Sequence, residues 1–210
     1  MNEPDVVLTD YVLAVESALF AWLLWREPLT VAGAQNPVVL FFAATAAASL
    51  AGGTVHGFFP GDRSQAGVVL WRTALVSLGI AALSAWTIGA RMLFSPPTAE
   101  TIEVAAAVAF LAYVTVIVAV NDSFRVAVAN YLAVTFFLMV AFVAAYRSTR
   151  EPAMAIGIAG LVLTVLAALA QQFHVSLHAR YFNHNALYHA IQAVALFMIF
   201  QAVHSLIQQT

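Results

Sequence analysis

The chain has no cysteine and no lysine, and only 9% of its 210 residues are charged. Without cysteine there is no disulfide and no thiolate chemistry, and the redox compartment cannot be read. Without lysine there is no retinal Schiff base and no catalytic amine. A net charge of −2 is too small to point to nucleic acid. What fills the chain instead is apolar: 63% of residues are hydrophobic. A soluble domain averages roughly 45–50% apolar and about 25% charged, so the composition is that of an integral membrane protein.

A membrane-spanning helix needs about 20 mostly apolar residues. Seven segments meet that need: Leu8–Trp25, Val38–Phe59, Gly67–Phe94, Ile102–Val120, Phe124–Tyr146, Met154–His174 and Ala186–Ile207. The breaks carry polar residues and proline: Pro28, Pro37, PGDRS, SPPTAE with Thr98 or Thr101 as possible N-caps, NDSFR, RSTREP and ARYFNHN. The acidic opening MNEPDVVLTD lacks the basic start of a cleaved signal peptide, so Tyr11 onward reads as a retained span. Short connections make neighbouring helices antiparallel. The fold class is an all-α membrane protein, a seven-transmembrane-helix bundle forming a single domain over residues 1–210, multi-pass in a lipid bilayer. The arginines give only a weak orientation: Arg63, Arg72, Arg125 and Arg180 lie toward the N-terminal face, against Arg26, Arg91, Arg147 and Arg150 toward the other.

Other polar groups are less evenly spread. Asp10, His56, Arg72, His174, His178, His184 and His189 all lie toward the N-terminal face, and only His204 lies near the opposite one. Ionisable groups in spans face the bundle interior or a wet cavity, which predicts one polar pocket on that side. Four histidines crowd the stretch QQFHVSLHARYFNHNALYHAIQ, residues 171–192. His174 and His178, four apart, share a face if one helix carries both. His184 and His189 are five apart and converge only if His184 lies in the non-helical entry to the last helix, with Asn183 as its N-cap. Imidazole suits zinc, which takes three or four ligands; the other reading is histidines that cap helix ends or meet headgroups.

Thr45, Ser49, Gly52 and His56 form one stripe in the second span, suited to close packing. Glu16 lies about 9 Å deeper than Asp10 along the first span. A carboxyl there is neutral or paired, and Arg72 is its expected partner. Asp122 and Arg125 read as a loop cap or surface pair. Trp22, Trp25, Trp71, Trp86, Tyr181 and Tyr188 read as an interfacial belt.

This pattern resembles the CREST superfamily of alkaline ceramidases, progestin/adiponectin-receptor-type proteins and Per1-like proteins. The resemblance implies seven helices and a zinc held by a histidine late in the second helix and an HxxxH early in the seventh. A Ser in the second helix and an Asp in the third complete that motif. His56 and His189 match two of the positions. Gly52 stands where the Ser is expected, Asn185 where the first His of HxxxH is expected, and the third helix offers Arg72 and no Asp. The resemblance implies zinc-dependent hydrolysis of a lipid amide or ester. His56, His184 and His189 would be ligands with His178 in reserve. Asp10 or Glu16 would move protons, and Asn185 would orient water or substrate. Two other classes fit the same residues: a non-catalytic subunit with a membrane-complex partner, and a b-type haem protein with His56 and His189 as axial ligands.

Overall fold

The computed structural model describes residues 3–27, 35–59, 61, 64–178 and 181–209. Pro28, Arg63 and Arg180, used above for a helix break and the charge balance, lie outside these residues. The seven expected spans are seven helices: α1 Pro4–Arg26, α2 Gln35–Phe58, α3 Gln65–Leu93, α4 Pro96–Ala119, α5 Phe124–Thr149, α6 Pro152–Gln172 and α7 His184–Gln209. The shortest has 21 residues and the longest 29, and each carries a window long and apolar enough to cross a bilayer. The protein is a multi-pass membrane protein.

The helix starts follow from local chemistry. Prolines at the first helical positions open α1, α4 and α6, where the missing N–H costs nothing. Ser64 caps α3 by accepting from the Gly67 amide at 3.2 Å. Ser95, not Thr98 or Thr101, is the N-cap of α4. Asn183 is the cap of α7, its Oδ1 accepting from the Asn185 and Ala186 amides at 2.9 and 3.1 Å.

The end of α6 differs from expectation. The helix stops at Gln172, and His174 takes a left-handed conformation with φ 56°. The His174 amide bonds the Gln171 carbonyl and the Val175 amide bonds the Ala170 carbonyl, the paired bonds of a Schellman cap. His174 and His178 therefore do not share a helix face. His178 instead exchanges backbone bonds with Phe182 at 3.1 and 2.9 Å.

Helix contacts run α1–α2, α2–α3, α3–α5, α5–α6, α6–α7 and α7–α1, a closed ring, with α4 packed outside on α3. In the half of the bundle away from the N-terminal face, Phe20 stacks on Phe200 at 4.4 Å and meets Phe42 edge-on at 5.5 Å. These aromatics fill the ring there. α6 and α7 approach closely: a Cβ on Gly160 would lie 2.7 Å from the Ala195 carbonyl oxygen. Large apolar side chains such as Val15, Val104 and Leu111 remain exposed, which suits a surface solvated by lipid rather than water.

Candidate functional site

In the other half of the ring lies a cavity of about 260 Å³. Every helix of the ring contributes to its wall, and among the described residues α4 does not. Leu13, Leu75, Leu78, Val128 and Leu132 line it with apolar side chains. Asp10, Ser49, His56, Gln171, Asn185, His189 and Gln192 supply its polar groups. The whole stripe of α2, Thr45, Ser49, Gly52 and His56, faces it.

Two of these polar groups form a pair. Asp10 Oδ1 lies 3.3 Å from His189 Nε2, and the two side chains are only 5% and 11% exposed. The second ring nitrogen of His189, Nδ1, is 3.4 Å from Thr9 Oγ1. That hydroxyl is within 2.9 and 3.0 Å of the Asp5 and Val6 carbonyls, to which it donates. Both nitrogens of His189 are thus engaged. Asp10 Oδ2 is buried with no hydrogen-bond partner. The absence of a side chain at Gly53 makes room for Asp10, since a Cβ there would be 2.8 Å from the Asp10 Cβ.

A second set of contacts holds the N-terminal face together. Glu3 Oε2 is 3.0 Å from His56 Nδ1, and Glu3 Oε1 accepts from the Asn183 side chain at 3.3 Å. Asp5 Oδ2 accepts from the Asn183 amide at 3.0 Å. The first turn of α1 therefore ties the end of α2 to the start of α7. Between α6 and α7, Gln171 donates to Asn185 Oδ1 at 3.3 Å and Gln192 donates to Thr164 Oγ1 at 3.4 Å.

Of the residues singled out in the sequence, Asp10, His56, Asn185 and His189 line this cavity; Glu16, His178 and His184 do not. His184 occupies the first turn of α7, not a non-helical entry, and its ring lies 4.5 Å from that of His174. His178 Nδ1 accepts from the Tyr181 amide at 3.2 Å. The expected Glu16–Arg72 pair is replaced by Arg72–Asp122, with Nε to Oδ2 at 3.4 Å. Asp122 also accepts from Trp71 Nε1 through its backbone oxygen, at 2.7 Å, and so is a tie between α3 and the α4–α5 connection, not a partner of Arg125. Glu16 Oε2 is buried without a hydrogen-bond partner.

Among the described residues, no group of three or more His, Asp or Glu is arranged to hold a metal ion. Of the histidines expected as zinc ligands, His189 has Thr9 against Nδ1 and Asp10 against Nε2, His56 faces Glu3, His184 packs on the ring of His174, and His178 accepts from the Tyr181 amide.

Sequence reasoning missed several wall residues. Trp71 and Tyr188, read as a belt, line the cavity with Tyr131 and Thr164. The signal for Tyr188 was its place directly beside His189. Glu3 was hidden in a short acidic opening whose role depends on where α2 ends.

No curated protein and no solved structure matches this chain. One family model does, over residues 6–208, which spans all seven helices. The chain belongs to that family, a family of unknown function (DUF6962).

Proposed function

We propose that this membrane protein binds a lipid-like amphiphile in the ring cavity and hydrolyses an amide or ester bond in it. One observation carries the reading: the buried Asp10–His189 pair lines a cavity whose wall is otherwise largely apolar. Pockets of this kind, mostly apolar with a few convergent polar groups, are the usual form of a small-molecule site. The seven-helix plan and the positions of His56 and His189 support distant kinship with the CREST superfamily.

In the proposed reaction a water oxygen adds to the carbonyl carbon and the C–N or C–O bond breaks. The proton lost by water is taken by the Asp10–His189 pair and returned to the leaving nitrogen or oxygen. Asp10 Oδ2, which has no other partner, is the atom available to accept it. In this reading Asn185, whose Oδ1 accepts from Gln171, orients the carbonyl. No step runs through zinc, because the residues present do not form a three-ligand set.

The test is hydrolysis of decanoyl esters and amides by purified protein, with release of decanoate as the readout. Removing a general acid–base group costs roughly 10²–10⁴ in rate, so His189→Ala and Asp10→Ala should each lose activity on that scale. His204→Ala, on the far face beside Glu27, should keep it. Activity retained in both His189→Ala and Asp10→Ala ends the proposal.

A further inference from the structure

Two buried oxygen acceptors at the cavity have no hydrogen-bond partner: Asp10 Oδ2 and Gln192 Oε1. Their residues are 3% and 5% exposed. The direction of the Gln192 amide is fixed by its neighbour. Thr164 Oγ1 donates to the Gly160 carbonyl at 3.2 Å, so toward Gln192, at 3.4 Å, it offers only a lone pair. The amide NH₂ must face Thr164, which leaves Oε1 as the atom without a partner. Asp10 is fixed in the same way, because Oδ1 is taken by His189. Buried acceptors left unpaired are costly, and a ligand that brings donors relieves that cost.

The charge around the cavity points the same way. Among the described residues no arginine lines it, and the chain contains no lysine. Arg72, early in α3, is paired with Asp122. The two histidines that line the cavity each already face a carboxyl group, Glu3 for His56 and Asp10 for His189. A carboxylate or phosphate head would find no counter-cation there and would bring only acceptors to the unpaired acceptors Asp10 Oδ2 and Gln192 Oε1. The volume of about 260 Å³ lies at the small end of ligand pockets, roughly 300–1,000 Å³. It suits a head and the first carbons of one chain. Gln192 lies one turn beyond His189 on α7, about 4.5 Å along the axis, so the two acceptors address a head at two depths.

We propose that the cavity selects single-chain amphiphiles whose head is uncharged or cationic and offers at least two hydrogen-bond donors, and rejects anionic heads. This rests on the reading of the cavity as an amphiphile site and names the class it takes.

The experiment uses the full chain in nonionic detergent and three probes of one chain length: decylamine, decanamide and decanoate. Affinity is read by isothermal titration from micelles matched for each probe. Decylamine and decanamide should bind, and decanoate should bind roughly tenfold more weakly or not at all. Asp10→Asn turns one acceptor into a donor, and Gln192→Leu deletes the other. Each should weaken decylamine roughly fivefold or more, while His204→Ala leaves it unchanged. Should either variant unfold in a melting control, the wild-type probe series and the other variant still decide. Decanoate binding as tightly as decylamine overturns the donor selection alone. Unchanged decylamine affinity in the folded variants overturns the role given to these two atoms. Failure of all three probes to bind overturns the amphiphile reading itself.

Discussion

Asp10 and His189 come from the first and last helices and meet at 3.3 Å, Oδ1 to Nε2, both lining the cavity with side chains only 5% and 11% exposed. The contact helps close the ring, since α1 and α7 are its two ends. Breaking a buried pair by removing one partner strands the other and typically costs about 3–5 kcal/mol. His189→Ala and Asp10→Ala should each lower the melting temperature in detergent. The double variant should lose less than the two single losses combined, because neither group is then left unpaired. The coupling expected for contacting residues is about 0.5–3 kcal/mol. Strict additivity in that cycle would mean the two side chains do not interact.

Gly160 marks a close approach of α6 to the backbone of α7. A Cβ there would lie 2.7 Å from the Ala195 carbonyl oxygen, which is backbone and cannot turn aside. Gly160→Ala should therefore push the two helices apart and destabilise the protein by about 1–3 kcal/mol, the usual cost of overpacking. Gly52 is the contrast. A Cβ there meets Asp10 Oδ2 at 3.7 Å, an ordinary contact. Gly52→Ala should melt close to wild type. Equal melting of the two variants would sink this account of the α6–α7 interface.

Legibility in the sequence followed the range of the forces involved. The seven spans were readable because bilayer burial acts on each segment by itself, and prolines and polar breaks mark the ends. The Asn183 cap was readable because its partners lie two and three residues away. What failed needed tertiary knowledge. Arg72 has two acidic options, Glu16 and Asp122, and only the packing of α3 against the start of α5 selects Asp122. The helix through His174 and His178 failed because a left-handed residue ends α6 at a histidine, with no glycine to announce it. Asp10, His56 and His189 were identifiable as polar groups on one face. That His56 turns to Glu3 and His189 to Asp10 was not, since spacing along a helix says nothing of which carboxylate lies across from it.

Seven spans place the two ends of this sequence on opposite sides of the bilayer. Reporter fusions at residues 1 and 210 should therefore respond oppositely: a cytoplasm-active reporter works at one end and a reporter active outside it at the other. A fusion after Ser95, between α3 and α4, should match the C-terminal result. A fusion after Asn121, between α4 and α5, should match the N-terminal one. The same response at both ends would require an even number of crossings, and the helix found on the wrong side of the pattern would be the one that does not span. α4 is the first to suspect in that event, because it packs outside the ring and only 17% of its most apolar window is buried within the protein.

Zinc content separates the hydrolase proposed here from the zinc-dependent form that the resemblance implies. Neutral imidazole binds zinc through a ring lone pair. His189 has Nδ1 against Thr9 at 3.4 Å and Nε2 against Asp10 at 3.3 Å, so binding there requires one of these contacts to give way. His56 is held at 3.0 Å by Glu3. A third imidazole is further removed, with His184 packed against His174 and His178 bonded to the Tyr181 amide. The wild-type protein purified without chelators should therefore carry zinc well below one ion per chain. His56→Ala, His189→Ala and His204→Ala should leave that value unchanged. Zinc near one per chain, lost in the first two variants and kept in the third, would overturn this expectation. It would mean that His56 and His189 leave Glu3 and Asp10 to share an ion, and the water in the hydrolytic step would then belong to the metal.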